Sequence, residues 1–312
     1  MVFRHMSAHP QDGLPQPASG VPLARQLATL LRPYQWVKNG FVFIGLLFGD
    51  ISKNPEFGLK VVLAAAAFCL MSSCVYVLND IFDRQADRAH PLKRSRPLAS
   101  GAVGMSAALV LALVCAIAGL ALGAAASTGV VTMLIAYLLL NLAYSAGLKH
   151  VAVLDVFIIA AGFMLRIFAG TWAVGIAPSQ WLLLCGLLLT IFLGFAKRRA
   201  ELMVSESDGA GGASQRPVLD DYSPALLDTM MAISAAGAIV SYSLYTVSPS
   251  TVALHHTDRL IYTVPFVLYG IFRYIFLVHR RGGEDPASTL LRDAHMLVTG
   301  AAWAFVTFWI IG

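Results

Sequence analysis

Four side chains able to bind a metal recur at short intervals in Asn79-Asp80-x-x-Asp83-x-x-x-Asp87. On a helix turning ~100° per residue, Asn79, Asp83, Asp87 and Asp80 fall at about 0°, 40°, 80° and 100°. All four share one face. Three carboxylates that close repel one another unless a cation sits among them. Their oxygens are hard ligands, suited to Mg2+ held by a few protein groups together with the phosphates of a substrate. Arg88, Lys93, Arg94 and Arg96 follow at once and could grip phosphate oxygens. The plainer alternative is a solvated helix end. The shared face, placed where a long apolar run stops, weighs against it.

The elements that must hold this motif are membrane helices. Hydrophobic residues make up 58% of the chain and charged residues 12%, and mean hydropathy is +0.72. Those values belong to polytopic membrane proteins. A spanning helix needs about 20 apolar residues. Candidates lie near 36–50, 58–80, 102–123, 128–147, 151–174, 179–198, 225–247, 258–279 and 293–312, the first of them short. The expected architecture is therefore all-α, with about nine transmembrane helices. Residues 1–24 read as a disordered tail, in which either Met1 or Met6 could be the start. Residues 25–312 read as a single transmembrane catalytic domain with cytoplasmic loops near 81–101 and 199–224. Cys69, Cys74, Cys115 and Cys185 lie inside apolar runs and read as small buried hydrophobes.

Basic residues set the orientation. With the N-terminus in the cytoplasm, seventeen of the 22 Lys and Arg fall on inside segments. Only Lys53, Lys60 and Arg259 fall outside, while Arg166 and Arg273 lie within helices. This bias predicts a cytoplasmic N-terminus and an external C-terminus. The acidic motif and the basic run then share the cytoplasmic side, where a soluble phosphorylated substrate could meet a lipid.

Further candidates line up at the same helix ends. Lys38 and Asn39 sit just inside the first apolar run, and Tyr144 and Lys149 close the run near 128–147. Each could contact phosphate, although Lys38 could equally snorkel and Tyr144 serve as an interface aromatic. Asp155 and Arg166 are about three turns apart and face the same way. Ionisable groups at membrane depth usually face a polar cavity, so both read as supporting the site, as do Glu201 and Arg273. Lys197-Arg198-Arg199 forms a third cationic cluster, and the loop after it ends in Arg216, Asp220, Asp221 and Tyr222, which could close over a substrate.

The acidic stretch resembles the first aspartate-rich motif of the UbiA-type superfamily of intramembrane prenyltransferases. Several runs look like its decaprenyl-phosphate phosphoribosyltransferase branch. They are Arg32-Pro-Tyr-Gln-Trp-Val-Lys38-Asn39, Tyr76 to Gly101, Asn141 to Gly170, Gly194 to Glu201 and Pro265 to Tyr274. The resemblance implies helices around a central cavity open to the cytoplasm. It also implies Mg2+ as cofactor, phosphoribosyl pyrophosphate (PRPP) as donor and a polyprenyl phosphate as acceptor, feeding cell-envelope polysaccharide synthesis at the plasma membrane. Asp80 and Asp83 would act through Mg2+, with no dedicated general base. No nucleic acid partner is expected, and the oligomeric state, a homo-oligomer included, is left open. One departure is informative. Aromatic prenyltransferases of the superfamily carry a second acidic motif where this chain has Lys197-Arg198-Arg199, which favours binding several phosphates. An aromatic prenyltransferase and a transporter or lipid-binding protein are the rival expectations.

Overall fold

The structure is a computed structural model that describes residues 22–48, 56–90, 93–176, 178–207, 217–281 and 292–311. The tail with Met1 and Met6, Lys53 and Arg216 lie outside these residues. Every regular element among the described residues is helical. In chain order they are α1 (Leu23–Leu31), a 3-10 segment (Pro33–Phe48), α2 (Glu56–Phe82), α3 (Arg84–Ala89), α4 (Met105–Ala126) and α5 (Thr128–Ala146). Next come α6 (Leu154–Ala173), α7 (Gln180–Ser207), α8 (Pro224–Val247), α9 (Pro249–His255), α10 (Val264–Arg281) and α11 (Ala294–Ile311). Short 3-10 turns sit at Leu148–His150, Pro217–Asp221 and Arg259–Thr263.

Among the described residues, eight helices are long and apolar enough to cross a membrane. This is a multi-pass membrane protein. The eight correspond to the expected spans from 58–80 onward. The span expected near 36–50 forms the 16-residue 3-10 segment instead. Its start follows local chemistry: Arg32 ends α1 in the left-handed conformation at φ 51°, and Pro33 cannot continue the α-helix. Two expected loops are partly helical. α3 occupies the first part of 81–101. α7 runs on to Ser207, carrying Lys197–Glu201 within the helix. An Arg198–Glu201 pair at i,i+3 and the packing of Leu202 on the core support that extension.

The chain divides into two compact units, residues 1–36 with 72–117 and residues 37–71 with 118–312. In the first unit, Trp36 Nε1 donates to Ser73 Oγ (3.0 Å), which donates to the Leu31 carbonyl (2.8 Å). Arg84 and Arg88 donate through Nε to the carbonyls of Leu98 (3.2 Å) and Ala99 (2.9 Å), folding the segment after α3 back onto that helix. Leu109, Val110, Leu113, Val114 and Ile117 of α4 are exposed, as lipid contact requires.

In the second unit, α6, α7, α8 and α10 enclose an apolar core that includes Val156, Phe192, Leu227, Met231 and Tyr274. Gly194 lets α7 meet α6 closely, since a Cβ there would lie 2.6 Å from Val156 Cγ1. A second cluster joins Cys185, Tyr242 and Tyr245, where Trp303 Nε1 of α11 donates to Tyr242 Oη (2.8 Å). Asp293 caps α11, accepting from Met296 N (3.1 Å). The four cysteines are free thiols, buried or nearly so.

Candidate active site

The acidic motif straddles a break. α2 stops at Phe82, Asp83 takes φ −87° and ψ 0°, and α3 follows. Backbone bonds Asp83 N to Asn79 O (2.9 Å) and Asp87 N to Asp83 O (2.8 Å) carry the helical register across it. The shared face therefore survives: Asp80 and Asp87, two turns apart, are both buried and both reach one guanidinium. Arg96 Nη1 lies 2.7 Å from Asp87 Oδ2 and 3.4 Å from Asp80 Oδ1. Arg32 also donates to Asp80 and stacks over the Tyr76 ring at 5.4 Å.

Asp80 and Asp87 bring hard carboxylate oxygens to one face, where Arg32 and Arg96 already pair with them. That donor chemistry fits Mg2+, which keeps water and substrate oxygens for the rest of its shell. No group of three or more His, Cys, Asp or Glu gathers at metal-binding distance among the described residues. Arg96, expected on phosphate, is here matched to carboxylates, and Arg88 is tied to Ala99. The Arg94 side chain is exposed.

The second unit holds two separate polar networks, although Asp155 and Arg166 share α6. Asp155 is fully buried in the first turn of α6, where a negative charge suits the helix N-terminus. It accepts from Arg198 Nε (2.6 Å) and from Tyr222 Oη (2.9 Å). Arg198 Nη1 donates to Glu201 Oε2 (2.5 Å), while Nη2 is buried with no partner. Tyr144 lies within electrostatic reach of Arg198. The Tyr222 hydroxyl also accepts from Val153 N (2.6 Å). Val153 has φ 68° and ψ −49°, with Leu154 N bonded to Ala152 O (2.8 Å), a γ-turn of the rarer hand. A β-branched residue held there stores about 1–3 kcal/mol of strain. Burial pushes the Tyr222 phenol up to about 12, with Asp155 adding to it. Asp220 and Asp221, by contrast, are exposed.

Among the described residues, Arg166 donates to neutral partners: Asn39 Oδ1 (2.7 Å), the Gly162 carbonyl (2.7 Å) and Tyr137 Oη (3.1 Å). Its guanidinium also lies over the Tyr137 ring at 4.6 Å. Asn39 in turn donates to Cys69 Sγ (3.3 Å), so the candidate phosphate contact is held by α6. Lys38, Lys149 and Lys197 are half-buried. Arg199 pairs with Asp228 (3.0 Å), and Arg273 with the Asp293 cap of α11 (2.9 Å). That pairing with Arg273 holds the Asp293 carboxyl down to about 2.

The acid–arginine pattern sits on a fold with known relatives. A family model described as the UbiA prenyltransferase family matches residues 40–309. The chain belongs to the UbiA prenyltransferase family. It is 35% identical over 291 residues to a protein named decaprenyl-phosphate phosphoribosyltransferase from Corynebacterium glutamicum, covering 91% of this chain and 86% of that one. It is 34% identical over 301 residues to a protein of the same name from Mycolicibacterium smegmatis, covering 92% and 93%. The solved structure of a UbiA homolog from Archaeoglobus fulgidus bound to DMAPP and Mg2+ aligns with a TM-score of 0.68 at 16% identity. That alignment covers 92% of this chain and 99% of the other. At such identity the likeness is one of fold, and it bears out the all-α, UbiA-like expectation.

Several residues that partner the candidate site residues of this UbiA protein were not assigned from sequence: Arg32, Tyr137, Asp228 and Asp293. Arg32 lies 48 residues from Asp80, and Asp228 lies 29 residues from Arg199. Nothing in local spacing signals such partners. The one available hint was that buried carboxylates demand cations.

Proposed function

We propose that this UbiA-family protein transfers 5-phosphoribose from PRPP to a polyprenyl phosphate of the decaprenyl type in the cell membrane, releasing pyrophosphate. Similarity to two decaprenyl-phosphate phosphoribosyltransferases along nearly the whole chain carries the reading. Asp80 and Asp87, with Asn79 and Asp83, would hold Mg2+. Bound there, the ion would neutralise charge on the departing pyrophosphate.

The chain's own residues supply the remaining electrostatics. Two polyanions must meet at low dielectric, where like charges repel strongly. Lys38, Lys93, Arg94, Lys149 and Lys197 offset that repulsion at the phosphates of donor and lipid. Arg96 and Arg198 already answer carboxylates, so their first task is to organise those acids. The lipid phosphate is anionic and needs no general base. Its oxygen forms the new bond to C1 as the C1–pyrophosphate bond breaks, and in-line attack inverts an α-configured donor to a β-linked product. Positive charge clustered at these helix ends supports a cytoplasmic N-terminus and a donor arriving from the cytosol.

The test uses purified protein in detergent with radiolabelled PRPP, Mg2+ and decaprenyl phosphate, beside an Asp83→Asn variant. Label passing into the organic phase, dependent on Mg2+ and reduced at least ~100-fold in the variant, is the expected result. No label from folded protein across several lipid lengths contradicts the reading.

A further inference from the structure

We propose that the cleft between α10 and α11 binds an anionic phospholipid of the surrounding bilayer. The cleft has a volume of about 440 Å3 and is lined by Tyr269, Ala294, His295, Val298 and Thr299. That volume falls within the ~300–1,000 Å3 of small-molecule sites. All five residues belong to the second unit, and none is among the residues proposed to meet Mg2+ or phosphate. The walls are of two kinds. Ala294 and Val298 are apolar and exposed. Tyr269 and His295 are polar, equally exposed, and joined through Oη and Nδ1 at 3.1 Å. The Thr299 hydroxyl is occupied, donating to the His295 carbonyl (2.7 Å). Among the described residues Nε2 of His295 has no partner, and in hydrocarbon a polar atom needs one. When Oη donates to Nδ1, the ring hydrogen sits on Nε2, a donor suited to an ester or phosphate oxygen.

The charge complement comes from α10. Phe276 and Arg280 follow Tyr269 by seven and eleven residues, so both fall within about 20° of it on the helix face. Arg280 is exposed, and its guanidinium lies 5.6 Å from the Phe276 ring centroid. Arg273 lies over the same ring at 5.2 Å but answers Asp293. Arg280 stands next to the end of α10, on the cytoplasmic side in the proposed orientation. One stripe thus runs from a cation through an aromatic ring and the Tyr–His pair to an apolar wall. A glycerophospholipid presents the matching order: phosphate, ester oxygens, acyl chain. Each cation near the membrane surface favours an anionic headgroup by about fivefold. So open a cleft holds its occupant weakly, which suits a lipid forming a large share of the bilayer better than a scarce substrate.

The experiment uses the full-length protein in detergent with a trace of phosphatidylglycerol bearing a photoreactive group on one acyl chain, and maps the adducts by peptide mass spectrometry. Unlabelled phosphatidylglycerol, phosphatidylcholine and decaprenyl phosphate compete in parallel. Adducts should concentrate on the peptide carrying residues 294–299. Phosphatidylglycerol should compete about fivefold better than phosphatidylcholine, and Arg280→Gln, at an exposed position, should shrink that preference to within ~2-fold. His295→Leu should lower labelling of the same peptide. Adducts spread evenly over the exposed helix faces, or equal competition by the two phospholipids, would show ordinary lipid contact and overturn the proposal. An Arg280→Gln protein that keeps the full preference would overturn it as well. Stronger competition by decaprenyl phosphate than by phosphatidylglycerol would give the cleft to the acceptor lipid and overturn the assignment to a bilayer lipid. Should a variant fail to fold, the wild-type competition decides alone.

Discussion

At the scale of single residues, arginines and lysines divide the electrostatic labour. Arg32 and Arg96 take Asp80 and Asp87, Arg198 takes Asp155 and Glu201, Arg199 takes Asp228, and Arg273 takes Asp293. The planar guanidinium suits such fixed pairing, whereas lysine is a point charge on a flexible stem. Breaking the most buried pair should be severe, because it strands a charge. Asp155→Asn is expected to cost about 3–5 kcal/mol, read as a lowered thermal midpoint in detergent, and an unchanged midpoint contradicts a structural pair. Tyr222 makes a second prediction. Its folded phenol titrates near 12, above the ~10 of an unfolded tyrosine. The folded state thus holds this proton more tightly, and the contribution is intact below pH ~10 and lost as pH rises towards 12. Denaturant unfolding between those pH values should fall more steeply for wild type than for Tyr222→Phe; equal slopes contradict the assignment. The acids and bases themselves could be read from sequence. Their pairing could not, because Asp155 and Arg198 are 43 residues apart and only the fold joins them.

At the scale of elements, apolar length was the legible signal, and eight helices stand where long apolar runs predicted them. The departures occur where another force competes. Proline after a left-handed Arg32 turns the first run into a 3-10 segment, and the pairing of Arg198 with Glu201 prolongs α7 beyond its apolar stretch. Tight contacts were also hidden, because glycine in a membrane helix does not say which neighbour it admits. Gly194 admits Val156 of α6. A valine there must displace that packing, and Gly194→Val should destabilise by about 1–3 kcal/mol, with a lower thermal midpoint. An unaffected midpoint would mean that α6 and α7 can separate at no cost.

At the scale of the whole molecule, the basic residues predict a cytoplasmic N-terminus and an external C-terminus. A phosphatase fused after the last residue should be active only outside the cytoplasm, so the account predicts activity there; an inactive C-terminal fusion with an active N-terminal one reverses the orientation. The acidic motif was legible because its spacing matches the helix period, and the family because similar blocks recur along the chain. The division between the cations proposed to meet phosphate and the structural ones was not, since both are simply basic residues near apolar ends. The central claim is phosphoribosyl transfer, and mass spectrometry of the intact lipid after incubation with PRPP, decaprenyl phosphate and Mg2+ tests it most directly. The account predicts a lipid heavier by one phosphoribosyl group, formed in equal amount with free pyrophosphate. Unmodified lipid from folded protein, together with prenylation of an aromatic acceptor by a prenyl diphosphate, would contradict it.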